Sequence, residues 1–498
     1  MILTLDLGTT TTKAVVWDGD GPRAEGRASV DTTFAAGDRA EQDPAAWWPA
    51  VVAACAQARA AAPAPFAAVE VVGFAAARQT FVPVTAAGEP LGPAVLWSDR
   101  RAVEQGEALA AALGGADAVR RRTGGVLDGA AVAAKAAWMA VHDPDRLRAS
   151  RWLLTPRDLI VWRMTGEVVT DTTMISAAGL SGPTGEPLAE LMAAISDRIP
   201  PVLSPHAVAG EVASGPAHEL GVPTGVPVVI GAGDRACEVL GTAASPRRPM
   251  VAWGTTANVS VPAGSFPDPP PPGVIVTAAA SDGWLLEGGL SAAGSLITWL
   301  SAIASLDPDV VMHGAAASPV GARGLVSLPW FGGARAPWWS DRARGAFLGL
   351  SFEHGAGDLA RAVVESVAWE VRRCLEATGS LARPGAVVAP RAGTPSDSLA
   401  LTGSDVGREP WPQVVAAVTG LPAVRRRSGQ AASVGAALIA ARAIGARYDL
   451  DLLDPVVDTL EPDPSAVECY ANLRDRADAA AAAVLALGEG GPVRGTDP

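Results

Sequence analysis

"ILTLDLGTTTTKAVVWD", Ile2 to Asp18, sets a Gly-Thr-Thr turn between two apolar, strand-like runs, with Asp6 two residues ahead of the glycine. About half a chain later "MVAWGTTANVSVPAG" (Met250–Gly264) repeats the kernel: an apolar run, Gly-Thr-Thr, then an alternating outgoing run. Glycine lets a tight turn bring backbone N–H groups close to an anion, and the threonine hydroxyls add donors. Each copy is therefore a candidate phosphate-binding turn. Neither contains Gly-Lys-Ser/Thr or leads into an evident helix, which excludes a Walker P-loop. Asp6 stands where a carboxylate holds magnesium-bound water beside phosphates. Two copies, each opening one half of the chain, predict two related domains facing each other across a cleft.

Composition bounds the rest. A chain of 498 residues holds two or three domains with ample cores. The net charge of −13 argues against nonspecific nucleic-acid binding or docking on an anionic membrane. It leaves room for an anionic small substrate, since local backbone donors bind phosphate within an acidic protein. Lysine occurs only at Lys13 and Lys135. Cys55, Cys237, Cys374 and Cys469 stand alone, without zinc spacing or a dense disulfide framework. The chain enters a strand at once, with no leader pattern. Its most apolar stretch, Ala45–Ala77, is alanine-based and interrupted by Pro, Gln and Arg. The expectation is a soluble, cytoplasmic protein with neither nucleic-acid nor membrane partners.

Strand-like and helix-like stretches alternate, which predicts an α/β fold. Ile2–Asp6 and Lys13–Asp18 read as a hairpin, Pro44–Ala61 as a helix, and Val69–Ala76 as a buried strand. Leu127–His142 reads as a helix and Val226–Gly233 as a strand. Further on come a strand at Pro249–Trp253 and a helix at Ala292–Ala302. Over Asp358–Glu376, Leu359, Val363, Val367, Val371 and Leu375 form one helical stripe. A strand–loop–helix unit spans Ser398–Gly420, and a helix rich in small residues spans Ser433–Gly445. "FPDPPPPG" (Phe266–Gly273) reads as a stiff loop, and the domain boundary falls near Ala244–Arg248. The expected domains are 1–245 and 246–487, with a disordered tail at 488–498.

"GAGDRACEVLG" (Gly231–Gly241) places Asp234 at a strand end. Phosphoryl transfer to an alcohol needs a carboxylate beside the attacking hydroxyl. A helix N-cap is the competing reading of the same residue.

Together these segments resemble the FGGY family of carbohydrate kinases, of the actin-like ATPase superfamily, over about Ile2–Gly445. Besides the two phosphate motifs and "GAGDRA", the similar blocks are "EQDPAAWW" (Glu41–Trp48), "AVLWSDRRA" (Ala94–Ala102) and "RMTGE" (Arg163–Glu167). "LPWFGGARAPWWSDRARGAFLGL" (Leu328–Leu350) is similar to the family's Gly-Glu-Arg-x-Pro block. "LTGSDVGREPWPQVVAAVTGLP" (Leu401–Pro422) lies where the adenosine-binding glycines belong.

The resemblance implies two actin-like ATPase (ribonuclease H-like) domains facing a central cleft, and transfer of the ATP γ-phosphate to a sugar or polyol hydroxyl with Mg2+. Asp234 is then the general base. Gly8, Thr9, Thr10, Lys13, Gly254, Thr255 and Thr256 bind the phosphates. Asp6, through water, and Asp234 face the metal. Gly403, Ser404, Asp405, Gly407 and Gln413 bind adenosine, although the usual Gly-Gly-Gly-Ala reads Gly403-Ser404-Asp405-Val406 here. Arg78, Gln79, Asp99, Asp171, Asp234 and Arg235 bind the acceptor, with Asp99 and Asp171 readable equally as turn or capping aspartates; a homodimer is the expected assembly if the chain is not a monomer. The expected acceptor is a ketopentose, D-xylulose first. Glycerol, erythritol or ribulose kinases are the alternatives, because Arg78 occupies a place where glycerol kinases carry an arginine. A different class, an ATP-binding regulatory protein without efficient transfer, is the remaining reading. Of the tryptophans Trp47, Trp48, Trp338 and Trp339, core or wall roles are expected before sugar stacking.

Overall fold

The computed structural model describes residues 1–36, 38–186, 188–193, 195–381 and 396–489. Strand β1 (Ile2–Leu7) is buried along its whole length, as a central strand covered on both faces must be. It pairs antiparallel with β2 (Thr11–Asp18), Asp6 opposite Lys13, and β2 pairs with β3 (Gly21–Ser29). On its other side β1 lies parallel to β4 (Val71–Ala76). Beyond β4, β5 (Val208–Glu211) and β6 (Pro227–Val229) complete the order β5-β6-β4-β1-β2-β3, with β7 (Ala232–Gly233) also on β4.

The second sheet repeats this plan. It contains β8 (Met250–Trp253), β9 (Ala257–Ala263), β10 (Ile275–Ala278), β11 (Trp284–Leu290), β12 (Leu399–Thr402), β13 (Ala423–Arg426) and β14 (Val456–Leu460). Their order is β10-β11-β9-β8-β12-β13-β14. As with β1, β8 is antiparallel to the strand after its Gly-Thr-Thr turn and parallel to its other neighbour. The two sheet-containing domains thus share a common strand arrangement around β1 and β8, with β10 as an added edge strand in the second, and the twin turns occupy equivalent hairpin positions.

Local differences from the sequence expectation have physical causes. The apolar run 226–233 is two short strands, because Gly231 turns with φ +70° where a Cβ would lie 2.0 Å from the Phe74 carbonyl oxygen. Helix α1 (Trp47–Ala61) follows a short 3-10 turn at Pro44–Ala46. Helix α2 (Val132–His142) starts five residues later than Leu127, beyond Gly129.

Between the sheets, helix α3 (Asp234–Gly241) crosses the later small-residue helix against β1 and β4, within an apolar core shared by both domains. Helix α4 spans Gly294–Ala304 and α5 spans Ala356–Ala377. The α5 stripe packs inward as expected. Its opposite face is also covered, so Arg361–Glu365 (2.7 Å) and Arg373–Glu370 (2.6 Å) pair within the helix. Helices α6 (Trp411–Thr419), α7 (Ala431–Ala443) and α8 (Pro464–Glu489) complete the second domain. No single described helix is long and apolar enough to cross a membrane. The first two residues of the expected tail end α8, and residues 490–498 lie outside the described residues.

Candidate active site

The two Gly-Thr-Thr turns close through short backbone bonds, Gly8 N to Thr11 O at 3.2 Å and Gly254 N to Thr256 O at 3.0 Å. Both open onto one cavity of about 990 Å³, which also receives Asp6 and Lys13. Lys13, Arg27, Arg235, Arg425, Arg426 and Arg427 line it, against only Asp6 and Glu238. A chain of net charge −13 therefore concentrates cations in this cleft, which suits a polyanion. Burial raises the Asp6 carboxyl above the usual range, Lys13 at 3.4 Å opposes this, and the Asp234 charge adds to it.

A second cavity, of about 200 Å³, adjoins the first and shares Thr9, Trp97, Arg235 and Thr256 with it. Its wall carries Asp234, Arg78, Gln79, Glu287, Arg335 and Trp339. Gly233, not Asp234, holds the N-cap position of α3, so the capping alternative for this residue is a correction. The Asp234 carboxylate accepts from the Arg235 backbone N at 2.7 Å and faces Arg78 Nε at 3.3 Å. Arg78 also grips Glu287 with both Nη atoms, at 2.8 and 2.6 Å. Burial alone would raise the Glu287 carboxyl, but the Arg78 charge and hydrogen bonds hold it below the ordinary glutamate value.

The Arg78–Gln79 loop on the small cavity wall is held from behind. Gln79 has φ +61° and its amide donates to the Ala177 carbonyl at 2.8 Å. Lys135 Nζ donates to the Gln79 and Leu96 carbonyls, each at 2.9 Å. Trp97, next to Leu96, donates to the Thr9 hydroxyl at 2.8 Å and so ties this wall to the first phosphate turn. Burial pulls the Lys135 ammonium down to about 7, with Asp99 and Asp128 opposing.

Five expected site residues line neither cavity: Gly8, whose turn reaches the large one through Thr9 and Thr10, and four others. Asp99 is fully buried, bound by Arg101 at 2.6 Å and by the Ala40 N–H at 2.7 Å. Asp171 is equally buried, paired with Arg157 at 2.7 Å and capping Thr173. In both cases a neighbouring arginine takes the carboxylate that the motif position would have presented to the cleft. Asp405 turns away too: its Oδ2 lies 2.7 Å from where a Cβ on Gly294 would sit, over the start of α4. Gln413 is exposed and bonds Glu409 at 3.3 Å. Gly403, Ser404 and Gly407 do line the large cavity. Gly403 has φ +107°, and a Cβ there would lie 1.9 Å from the Trp253 carbonyl oxygen.

Profiles of the FGGY family of carbohydrate kinases match residues 1–241 with the N-terminal domain and 250–444 with the C-terminal domain. The chain belongs to this family. The kinase is 28% identical to a xylulose kinase of Streptomyces rubiginosus over 485 residues, covering 95% of each chain. It is 31% identical to a glycerol kinase of Ralstonia pickettii, covering 89% of the kinase and 90% of that protein. The crystal structure of a xylulose kinase from Rhodospirillum rubrum superposes with a TM-score of 0.84 at 26% identity, covering 98% and 99% of the two chains.

Among the wall residues of the kinase, Trp97 and Arg335 carried no assigned role in the sequence; both lie inside recognised motif blocks, which was their available signal, while Trp339 takes the wall role expected of it. Arg335 is half-buried, and its Nε lacks a partner among the described residues. Trp339 reaches the small cavity, whereas Trp47 and Trp48 are buried and Trp338 bonds Glu370 at 2.9 Å. Glu287 had only one clue, an acid at a mid-strand position in "WLLEGGL".

Proposed function

We propose that this kinase transfers the γ-phosphoryl group of ATP to a hydroxyl of a ketopentose, D-xylulose foremost. One observation carries the reading: the Asp234 carboxylate stands on the wall of the small cavity, which opens into the cationic cavity between the two Gly-Thr-Thr turns. The likeness to a xylulose kinase over nearly the whole chain supports the acceptor.

The donor's phosphates lie between Gly8-Thr9-Thr10 and Gly254-Thr255-Thr256, with Lys13 beside them. Adenosine extends toward Gly403, Ser404 and Gly407. Arg78 and Gln79 hold the acceptor, and Asp234 takes the proton of its hydroxyl as the new P–O bond forms. The two domains, taken as 1–245 and 246–487, enclose the reaction and keep water from competing as acceptor.

No cluster of three metal-binding side chains occurs among the described residues. One buried carboxylate, Asp6, with the Asp234 charge near it in the same domain, suits Mg2+, which keeps waters and takes phosphate oxygens rather than a protein cage. When bound, that ion neutralises phosphate charge. The four unpaired cysteines fit the reducing cytoplasm.

The test is coupled ADP release with D-xylulose, D-ribulose, erythritol and glycerol. Highest kcat/KM on D-xylulose supports the reading. Preference for glycerol transfers the assignment to the polyol branch, and acceptor-independent ADP release or none identifies a nucleotide-binding protein instead.

A further inference from the structure

We propose that Arg235 is a second catalytic residue, its guanidinium bonding the phosphoryl group as it passes between the two cavities. This rests on the kinase reading above. Thr9, Trp97, Arg235 and Thr256 are shared by both cavity walls, and Arg235 alone among them is charged. The junction they form is where a group moving from one cavity to the other must cross. Thr9 and Thr256 belong to the two phosphate turns, so Arg235 faces the space where the terminal phosphate ends.

Its tether fixes it there. Arg235 Nη1 donates to Glu238 Oε2 at 2.7 Å, one helical turn further along α3. That is its one side-chain hydrogen bond among the described residues, and a guanidinium carries five N–H donors in a rigid fork. Donors therefore remain for an anion. Lys13, on the strand leaving the first turn, already faces Asp6 at 3.4 Å. Glu238 and Asp234 keep Arg235 charged against its burial.

The chemistry needs such a group. The acceptor oxygen forms a bond to the γ-phosphorus while the bond to the bridging oxygen breaks, its electron pair leaving on ADP and the hydroxyl proton passing to Asp234. Charge spreads over three equatorial oxygens during this exchange, and a planar guanidinium matches two of them. Arg235 neither gains nor loses a proton. Base and cation sit on consecutive residues of one helix start, so they arrive at the junction together.

The experiment compares Arg235→Gln, Arg235→Lys and Glu238→Gln with the unaltered enzyme. Readouts are kcat, the KM values for acceptor and ATP, and the affinities for ADP alone and for ADP with aluminium fluoride, a mimic of the transferring phosphoryl. Arg235→Gln is expected to lower kcat by about a thousandfold, with both KM values within threefold. It should retain ADP affinity and lose the additional affinity conferred by aluminium fluoride. Arg235→Lys should recover part of kcat, and Glu238→Gln should lose about tenfold with ADP affinity unchanged. A kcat within threefold of the unaltered enzyme for Arg235→Gln, or a change confined to acceptor KM, overturns the proposal and leaves the kinase reading intact. Absence of turnover by the unaltered enzyme on every acceptor overturns both. Should Arg235→Gln fail to fold, full kcat and full aluminium fluoride affinity in the Lys and Glu238→Gln variants overturn the proposal equally.

Discussion

Arg78 and Glu287 meet across the cleft in a two-pronged ion pair, one from the loop after β4 and the other from β11 of the opposite sheet. The Glu287 side chain is 1% exposed and Arg78 13%, so neither charge has water to fall back on. Thr277 also donates to Glu287, which completes its shell. Removing one partner strands the other: Arg78→Ala should cost about 3 kcal/mol of stability. Adding Glu287→Ala should recover part of that loss, because the double variant buries no unpaired carboxylate. Urea unfolding of the three variants checks this, and simple additivity of the two single losses would refute the coupling.

Asp234→Asn should lower kcat about a thousandfold, within the range expected for loss of a general base. The substitution keeps an acceptor oxygen for the Arg235 N–H but cannot take the proton. ADP affinity should change less than threefold, because Asp234 lines the small cavity and not the large one. Single-turnover kinetics beside ADP titration separates the two effects, and near-normal turnover would remove Asp234 from the base role.

The twin turns made the fold legible: one Gly-Thr-Thr hairpin is ambiguous, while two at equivalent places describe a duplicated sheet. Asp6, Thr9, Thr10, Lys13 and Asp234 reach the cavities as expected, because each sits within a few residues of such a turn or strand end. Asp99 and Asp171 are open in the sequence between the cleft and a turn or cap, and the structure places them as the latter. Nothing local announces that Arg101 and Arg157 neutralise them, since an ion pair is a property of packing. Glu287 and Arg335 escaped assignment because their partners and the cavity they face lie far off along the chain. The stripe of α5 gave its inward face, but only the docking of α8 explains why its outward face carries buried ion pairs.

Lys135 should give the kinase a stability that rises with pH. Its ordinary value is 10.5 and burial lowers it to about 7 in the fold. Between these limits the unfolded chain binds more protons than the folded one, so unfolding free energy increases with pH there. Below about pH 7 the full penalty of the buried charge is present. Substituting methionine removes this slope and strands the Gln79 and Leu96 carbonyls, at about 1–3 kcal/mol. Acceptor KM should rise with it, since Gln79 lines the small cavity. Chemical unfolding at pH 6, 7.5 and 9 measures the slope, and parallel pH dependence in both proteins would contradict the assignment.

Ser404 and Asp405 separate in their effects on the nucleotide. Asp405→Asn should change ATP KM less than twofold, because the carboxylate points at α4 rather than into the cavity. Ser404→Val should raise it about tenfold, since its Oγ lies 3.4 Å from where a Cβ on Gly254 would be, against the second phosphate turn. Loss of one hydrogen bond to a charged group is worth about that factor. Initial-rate kinetics at varied ATP settles the order, and a larger effect at Asp405 would show that the loop rearranges when nucleotide binds.

Gly435 tests the contact between the two domains. Helices α3 and α7 approach so closely that a Cβ on Gly435 would lie 1.9 Å from the Cys237 carbonyl oxygen, and one on Gly241 2.0 Å from that of Ala431. The obstacle in each case is backbone, which cannot swing aside as a flexible side chain does. Gly435→Ala must therefore move one helix, and with α3 goes the start that carries Asp234 and Arg235. Overpacking of this kind costs about 1–3 kcal/mol, more than the gain in helix propensity of about 1 kcal/mol from removing a mid-helix glycine. The expected result is a lower Tm together with a fall in kcat, although Gly435 touches neither cavity. A variant with raised Tm and unchanged kcat would show that the helices have room to spare, and that the junction is positioned by the sheets alone.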